Sequence, residues 1–109
     1  MKIKLIQINT TVAKKEVAEQ IASHLIEKRL AACVQIIGPV TSIYRWLGNI
    51  EHTTEWICQI KTIQDLYNLV EKEILSIHSY QLPEIIAFPI TTVSKKYLDW
   101  VQAQVILTH

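Results

Sequence analysis

A chain of 109 residues that is 50% hydrophobic and 19% charged is one domain with enough apolar mass for a core of its own. Eleven basic and ten acidic residues give a net charge of +1 and are scattered without a block of either sign. That excludes the electrostatic footprint of a nucleic-acid or membrane-surface binder. The two cysteines, Cys33 and Cys58, form no Cys-x-x-Cys pair and no Cys/His ladder, which excludes a zinc knuckle.

The first element is predicted at Ile3–Thr10, a short β-branched run that alternates Ile3, Leu5 and, after Ile6, Ile8. Thr10 or Thr11 is placed to cap a helix after it. From Lys14 to Arg29, Val17, Ala18, Ile21, Ala22, Leu25 and Ile26 recur at three- and four-residue spacing, the pattern of one buried helical face. Leu30–Trp46 is an unusually long extended run, with a bulge or bend expected at Gly38-Pro39, because proline cannot donate to a ladder. Leu47-Gly48-Asn49 makes a tight turn, and Ile50–Thr62 returns with clean alternation. Both arms exceed the usual five or six residues of a strand, so their exposed edges need a cover, which a neighbouring subunit would supply.

A second amphipathic helix is predicted over Gln64–Ile77, on Leu66, Leu69, Val70, Ile74 and Ile77. A polar connection and Pro83 lead to the apolar strand Ile85–Ile90, where Pro89 argues for an edge position. Ser94 is a cap for a last helix reaching about Leu107, with Leu98, Val101 and Val105 inward. The order β-α-β-β-α-β plus a terminal helix, joined by right-handed crossovers, is an α+β ferredoxin-like sandwich in one domain, residues 1–109. No segment is apolar enough for a secretory signal or a bilayer span, and two thiols fit a reducing compartment; the expected location is the cytoplasm.

The residues that could carry chemistry are few. Cys33 and Cys58 lie in strands with no charged neighbour to activate them, the setting of a small buried hydrophobe. No nucleophile motif, paired carboxylates or phosphate loop is present, so the chain reads as no enzyme. Of the histidines, His24, His52, His78 and His109, no two have the spacing of metal ligands on one helix. An assembled site would draw on His78 and Glu84, which flank the Ser79–Pro83 connection, although polar groups so placed more commonly hydrogen-bond the loop's own backbone and hold its shape. Tyr44, Trp46, Trp56, Tyr80 and Trp100 could line a cleft or a subunit contact, and Arg45, opposite Glu51, suits an interface pair.

Four blocks, "EKRLAACVQI", "SIYRWLGNIEHTTEW", "IKT" and "HSYQLPEIIAFPI…YLDW", in this order and spacing resemble the CutA family, the divalent-ion tolerance proteins, over nearly the whole chain. The resemblance implies a ferredoxin-like subunit in a homotrimer built like the PII signalling proteins, with strands of the long ribbon pairing between subunits. It also implies a role in tolerance to divalent metals, with copper as the bound ion. Cys33 stands at the cysteine of the family's Ala-Ala-Cys-Val block, and His78, Tyr80, Pro83 and Glu84 match its His-Pro-Tyr-x-x-Pro-Glu block. Tyr44, Trp46, Gly48 and Glu51 match Tyr-x-Trp-x-Gly-x-x-Glu. Ser79 replaces the family's proline, and Gln81 replaces a glutamate, which removes one hard ligand. The glycine that precedes "YL" in the family is also missing. The expectation is a metal-binding trimer with Cys33, His78 and Glu84 as ligands. One alternative is a PII-like module that binds a small ligand between subunits, with Tyr44, Arg45, Trp46, Glu51, Trp56, Lys61 and Tyr80 at the cleft or interface. The other is a scaffold that docks a second protein.

Overall fold

A computed structural model describes residues 3–106. Four strands, β1 (Leu5–Val12), β2 (Cys33–Trp46), β3 (Asn49–Ile63) and β4 (Ile85–Ile90), form one sheet in the order β2-β3-β1-β4. Each neighbouring pair is antiparallel. Helices α1 (Lys15–Glu27) and α2 (Tyr67–Ile77, entered through a 3-10 turn at Gln64–Leu66) connect them, and α3 (Lys95–Gln104) closes the described chain. This is the expected ferredoxin-like arrangement. The last helix stops short of Leu107, which with His109 lies outside the described residues.

The sheet's inner face and the two connecting helices meet in the core. β1 contributes Ile6, Ile8 and Val12, β3 contributes Cys58 and Ile60, and α1 contributes Ala18, Ile21 and Leu25, all buried. Leu66, Val70 and Ile74 come from the second helical segment, Val101 and Val105 from the C-terminal one. Each fully buried Ile or Leu stabilises the fold by roughly 1.5–3 kcal/mol, so this cluster dominates the stability of the protomer. Leu69 departs from the expected face: it is exposed, and Tyr67, which begins α2, packs against the core instead.

The ends of the helices have identifiable causes. α1 ends in a left-handed residue, Arg29 (φ 58°), with Leu30 N–H donating to Leu25 O at 3.0 Å and Arg29 N–H to Ile26 O at 3.0 Å. That is a Schellman pattern, made here without glycine. Arg29 is held there by α3: its guanidinium donates to Ala103 O (2.7 Å) and Gln104 O (2.8 Å), a cation on the negative end of a helix. Ser94 caps α3, accepting from Tyr97 N–H at 3.3 Å. Thr10 caps nothing. β1 runs on to Val12 because it stays paired with β3 as far as Trp56, and the cap position of α1 falls on Lys14. Across the helix layer, Glu73 of α2 accepts from His24 and from Lys28 of α1, the latter at 3.0 Å. These bonds hold the Glu73 carboxyl below the usual glutamate range.

The β2–β3 hairpin is the feature that distinguishes the outline. Its strands are 14 and 15 residues long, and they carry the molecule to 47 × 26 × 22 Å. The register slips between Ile37 and Val40, at Gly38-Pro39, where the peptide is cis. A side chain at Gly38 would stand 2.7 Å from Trp56 Cε3, so glycine is what lets β2 cross that ring. The tip is a two-residue turn with φ 50° at Leu47 and 83° at Gly48, the primed type whose twist suits a hairpin. Beyond the helices the ribbon bears exposed apolar residues on both sides, Ile43, Leu47 and Ile50 among them.

Candidate functional site, a cleft at the root of the ribbon

Strand alternation sorts the ribbon's side chains. Val40 faces Glu55 across the hairpin, Ser42 faces Thr53, and Tyr44 faces Glu51, so these residues share one side with Trp46. The same side of the sheet continues to Thr11 on β1, which pairs with Ile57. The connection from α2 to β4 arches over this surface. Between the two lies a cleft of about 840 Å³, lined among others by Thr11, Tyr44, Trp46, Glu55, Tyr80 and Glu84.

The arch is built by His78. Its Nδ1 accepts from the backbone N–H of Tyr80 (3.1 Å), so the proton sits on Nε2, which donates to the carbonyl of Thr11 at 2.8 Å. One ring thus ties the loop to itself and to β1. The imidazole also lies 4.9 Å from the Tyr80 ring, centroid to centroid. Tyr80, so placed, reaches down and donates its hydroxyl to Glu55 Oε2 at 2.8 Å. Glu55 is only 6% exposed. Burial, then the bond to Glu55 and its charge, push the Tyr80 phenol well above the usual tyrosine range. The hydroxyl is therefore a fixed donor at every physiological pH.

The three residues expected to hold a metal are not gathered. Both ring nitrogens of His78 are spent on backbone, one on the loop at Tyr80 and one on β1 at Thr11. Glu84 is exposed on the cleft rim. Cys33 faces Lys61, four residues along β3 from the partner of Thr11, which is about 13 Å away at ~3.3 Å per residue. Among the described residues, no group of three or more His, Cys, Asp or Glu side chains is placed to hold a metal ion. Cys58 is an inert core thiol: burial pushes it up to about 11.

The aromatic and charged residues divide. Tyr44, Arg45, Trp46 and Tyr80 line the cleft together. Glu51 stands on the ribbon opposite Tyr44, not Arg45, whose partner in register is Ile50. Trp56 turns to the other side of the sheet, packing on the core with Lys15 Nζ 5.5 Å from its ring centre. Lys61 is remote and donates to Gln35 on β2. Glu55 escaped the sequence reading. It looks like one more solvent-facing residue of an alternating strand, and its partner is 25 positions away.

A ferredoxin-like sheet with an overlong β2–β3 hairpin and a loop arched over its root defines the divalent-ion tolerance class of small α+β proteins. Residues 6–104 match the family described as CutA1 divalent ion tolerance protein, and the chain belongs to it. It is 41% identical over 92 residues to the divalent-cation tolerance protein CutA of Thermus thermophilus, covering 84% of this chain and 89% of that one. It is 36% identical over 97 residues to the chloroplastic CutA protein of Arabidopsis thaliana, covering 89% of this chain and 53% of that longer one. The structure described as the periplasmic divalent cation tolerance protein CutA of Archaeoglobus fulgidus superposes with a TM-score of 0.91 at 40% identity, covering 94% of this chain and 99% of that one. The expectation of a cytoplasmic location is corrected by these comparisons: relatives are named for the chloroplast and the periplasm. Two unpaired thiols are a property of the folded unit, and a fold that relatives carry into different compartments does not report its own address. No described helix is long and apolar enough to cross a membrane.

Proposed function

We propose that this protein serves divalent-cation tolerance as a PII-like homotrimer, and that its working site is the cleft at the root of the ribbon, closed by a neighbouring subunit around a small ligand. The observation that carries this reading is the Tyr80–Glu55 pair: a carboxylate withdrawn from water and aimed at a cleft by a loop that His78 holds rigid. Trimerisation is supported by the ribbon. Ile43 and Ile50 are 62% and 61% exposed, on a hairpin too long for its own sheet to cover. Sedimentation of the full chain tests the assembly, and crystals grown with a panel of small molecules test the cleft. Single-copy sedimentation, or clefts empty of every compound in the panel, would remove the reading.

A second reading has the trimer bind copper or another divalent ion directly. The half-buried free thiol of Cys33 favours it, since copper in its soft oxidation state takes thiolate. Such a site would combine Cys33 or Glu84 with groups of another subunit. Calorimetric titration with Cu(II), and with Cu(I) under reductant, tests it; heat of binding that survives Cys33→Ser and Glu84→Gln would dismiss these ligands.

A further inference from the structure

Resting on the cleft reading, we infer the chemical class of the ligand: a small organic cation, a protonated amine, whose ammonium group bonds Glu55 and whose carbon body lies against Tyr44 and Trp46.

Glu55 is the starting point. The residue is only 6% exposed and lies on the cleft lining. Tyr80 serves Oε2. Among the described residues, no donor lies within hydrogen-bond distance of Oε1 and no cation pairs with the group. The cleft therefore presents one carboxyl oxygen, Glu55 Oε1, with no protein donor on it.

The walls also suit a cation. A second carboxylate, Glu84, is on the lining, and the single basic lining residue is Arg45. Arg45 lies between Tyr44 and Trp46 on β2, and its guanidinium is directed at the carbonyl of Gly48, 3.4 Å away at the hairpin tip. The lining thus sets the carboxyls of Glu55 and Glu84 and the rings of Tyr44, Trp46 and Tyr80 against one guanidinium, which is engaged at the hairpin tip. Tyr44 and Trp46 are 42% and 39% exposed there, with ring surface free for a ligand. Aromatic faces attract an ammonium by their quadrupole and also bury its methylenes. A bare metal ion uses neither property, and a cleft of about 840 Å³ is far larger than an ion needs. An anion would meet the carboxyls of both Glu55 and Glu84.

The test is a charge series on one carbon skeleton: butylamine, butanol and butyrate, titrated into the intact protein and followed by the NMR signals of the Trp46 indole and the Tyr80 loop. Butylamine is expected to shift these signals saturably and at least about tenfold more tightly than butanol, the ratio of one charged hydrogen bond, with no response to butyrate. Glu55→Gln, which keeps an acceptor for Tyr80, is expected to reduce butylamine to the level of butanol. Equal binding of butanol, or any preference for butyrate, overturns the amine assignment while leaving the cleft as a site. Silence of the cleft signals to all three compounds overturns both. The wild-type series decides the matter even if the variant is poorly folded.

Discussion

Replacing Tyr80 with phenylalanine removes one oxygen and leaves the loop otherwise tied. The Tyr80 N–H bond to His78 and the His78 bond to Thr11 both survive, because neither uses the phenol. What is lost is the donor to a carboxylate that is 6% exposed, at 2.8 Å. A hydrogen bond to a charged group is worth about 1.5–3 kcal/mol, and here the acceptor stays buried after the donor has gone. For a domain of this size that corresponds to a fall in Tm of about 6–12 °C. The assay is calorimetry at one fixed protomer concentration, since association shifts apparent stability. Adding Glu55→Gln to make a double-mutant cycle isolates the pair: the second substitution should cost less in the Tyr80→Phe background than alone. A Tm loss under about 2 °C, or strictly additive effects, would refute the claim that Glu55 depends on Tyr80.

Other consequences are equally direct. His78→Ala should destabilise the protein by about 1–3 kcal/mol through two lost backbone bonds, and should broaden the NMR signals of the 79–84 loop without changing the chain's affinity for Cu(II). Gly38→Ala places a methyl 2.7 and 2.9 Å from two ring carbons of Trp56, against an optimum of about 3.5–4.0 Å; denaturation should show a loss of about 1–3 kcal/mol and a shifted Trp56 emission. Glu73, whose carboxyl is held low by bonds from His24 and Lys28, contributes stability that is complete above the unfolded glutamate range and disappears as pH falls through the folded value. Glu73→Gln should therefore narrow the Tm difference between neutral and acid pH, and an unchanged acid limb would show that the clamp is idle.

The fold was legible because its signals are local. The three- and four-residue spacing of Ala18, Ile21 and Leu25, the alternation through Cys58 and Ile60, and the Leu47-Gly48 turn each follow from neighbours in sequence. Boundaries slipped where tertiary pairing overrode a local signal. Thr10 has the chemistry of a cap, but β3 keeps that stretch in the sheet to Val12, and the Thr10 hydroxyl ends buried with no partner among the described residues. The site was legible only in outline. Tyr44, Trp46, Tyr80 and Glu84 could be named as residues of interest, but their meeting depends on how a ribbon and a loop far apart in the chain are superposed. His78 shows the limit most clearly. A histidine next to a tyrosine and a glutamate suits a ligand set or a backbone brace alike, and the positions of Tyr80 N–H and Thr11 O show both ring nitrogens bonded to backbone. Glu55 is the converse: nothing in "HTTEWICQ" marks one glutamate as buried, because burial there is made by a loop that arrives from elsewhere.

The decisive experiment is native mass spectrometry of the intact protein, with and without Cu(II), on wild type and on His78→Gln side by side. A mass of three protomers is expected in all four samples, and metal uptake, where present, should be indifferent to His78. A single-protomer mass would contradict the assembly, and copper uptake that vanishes with His78 would contradict its role as a brace.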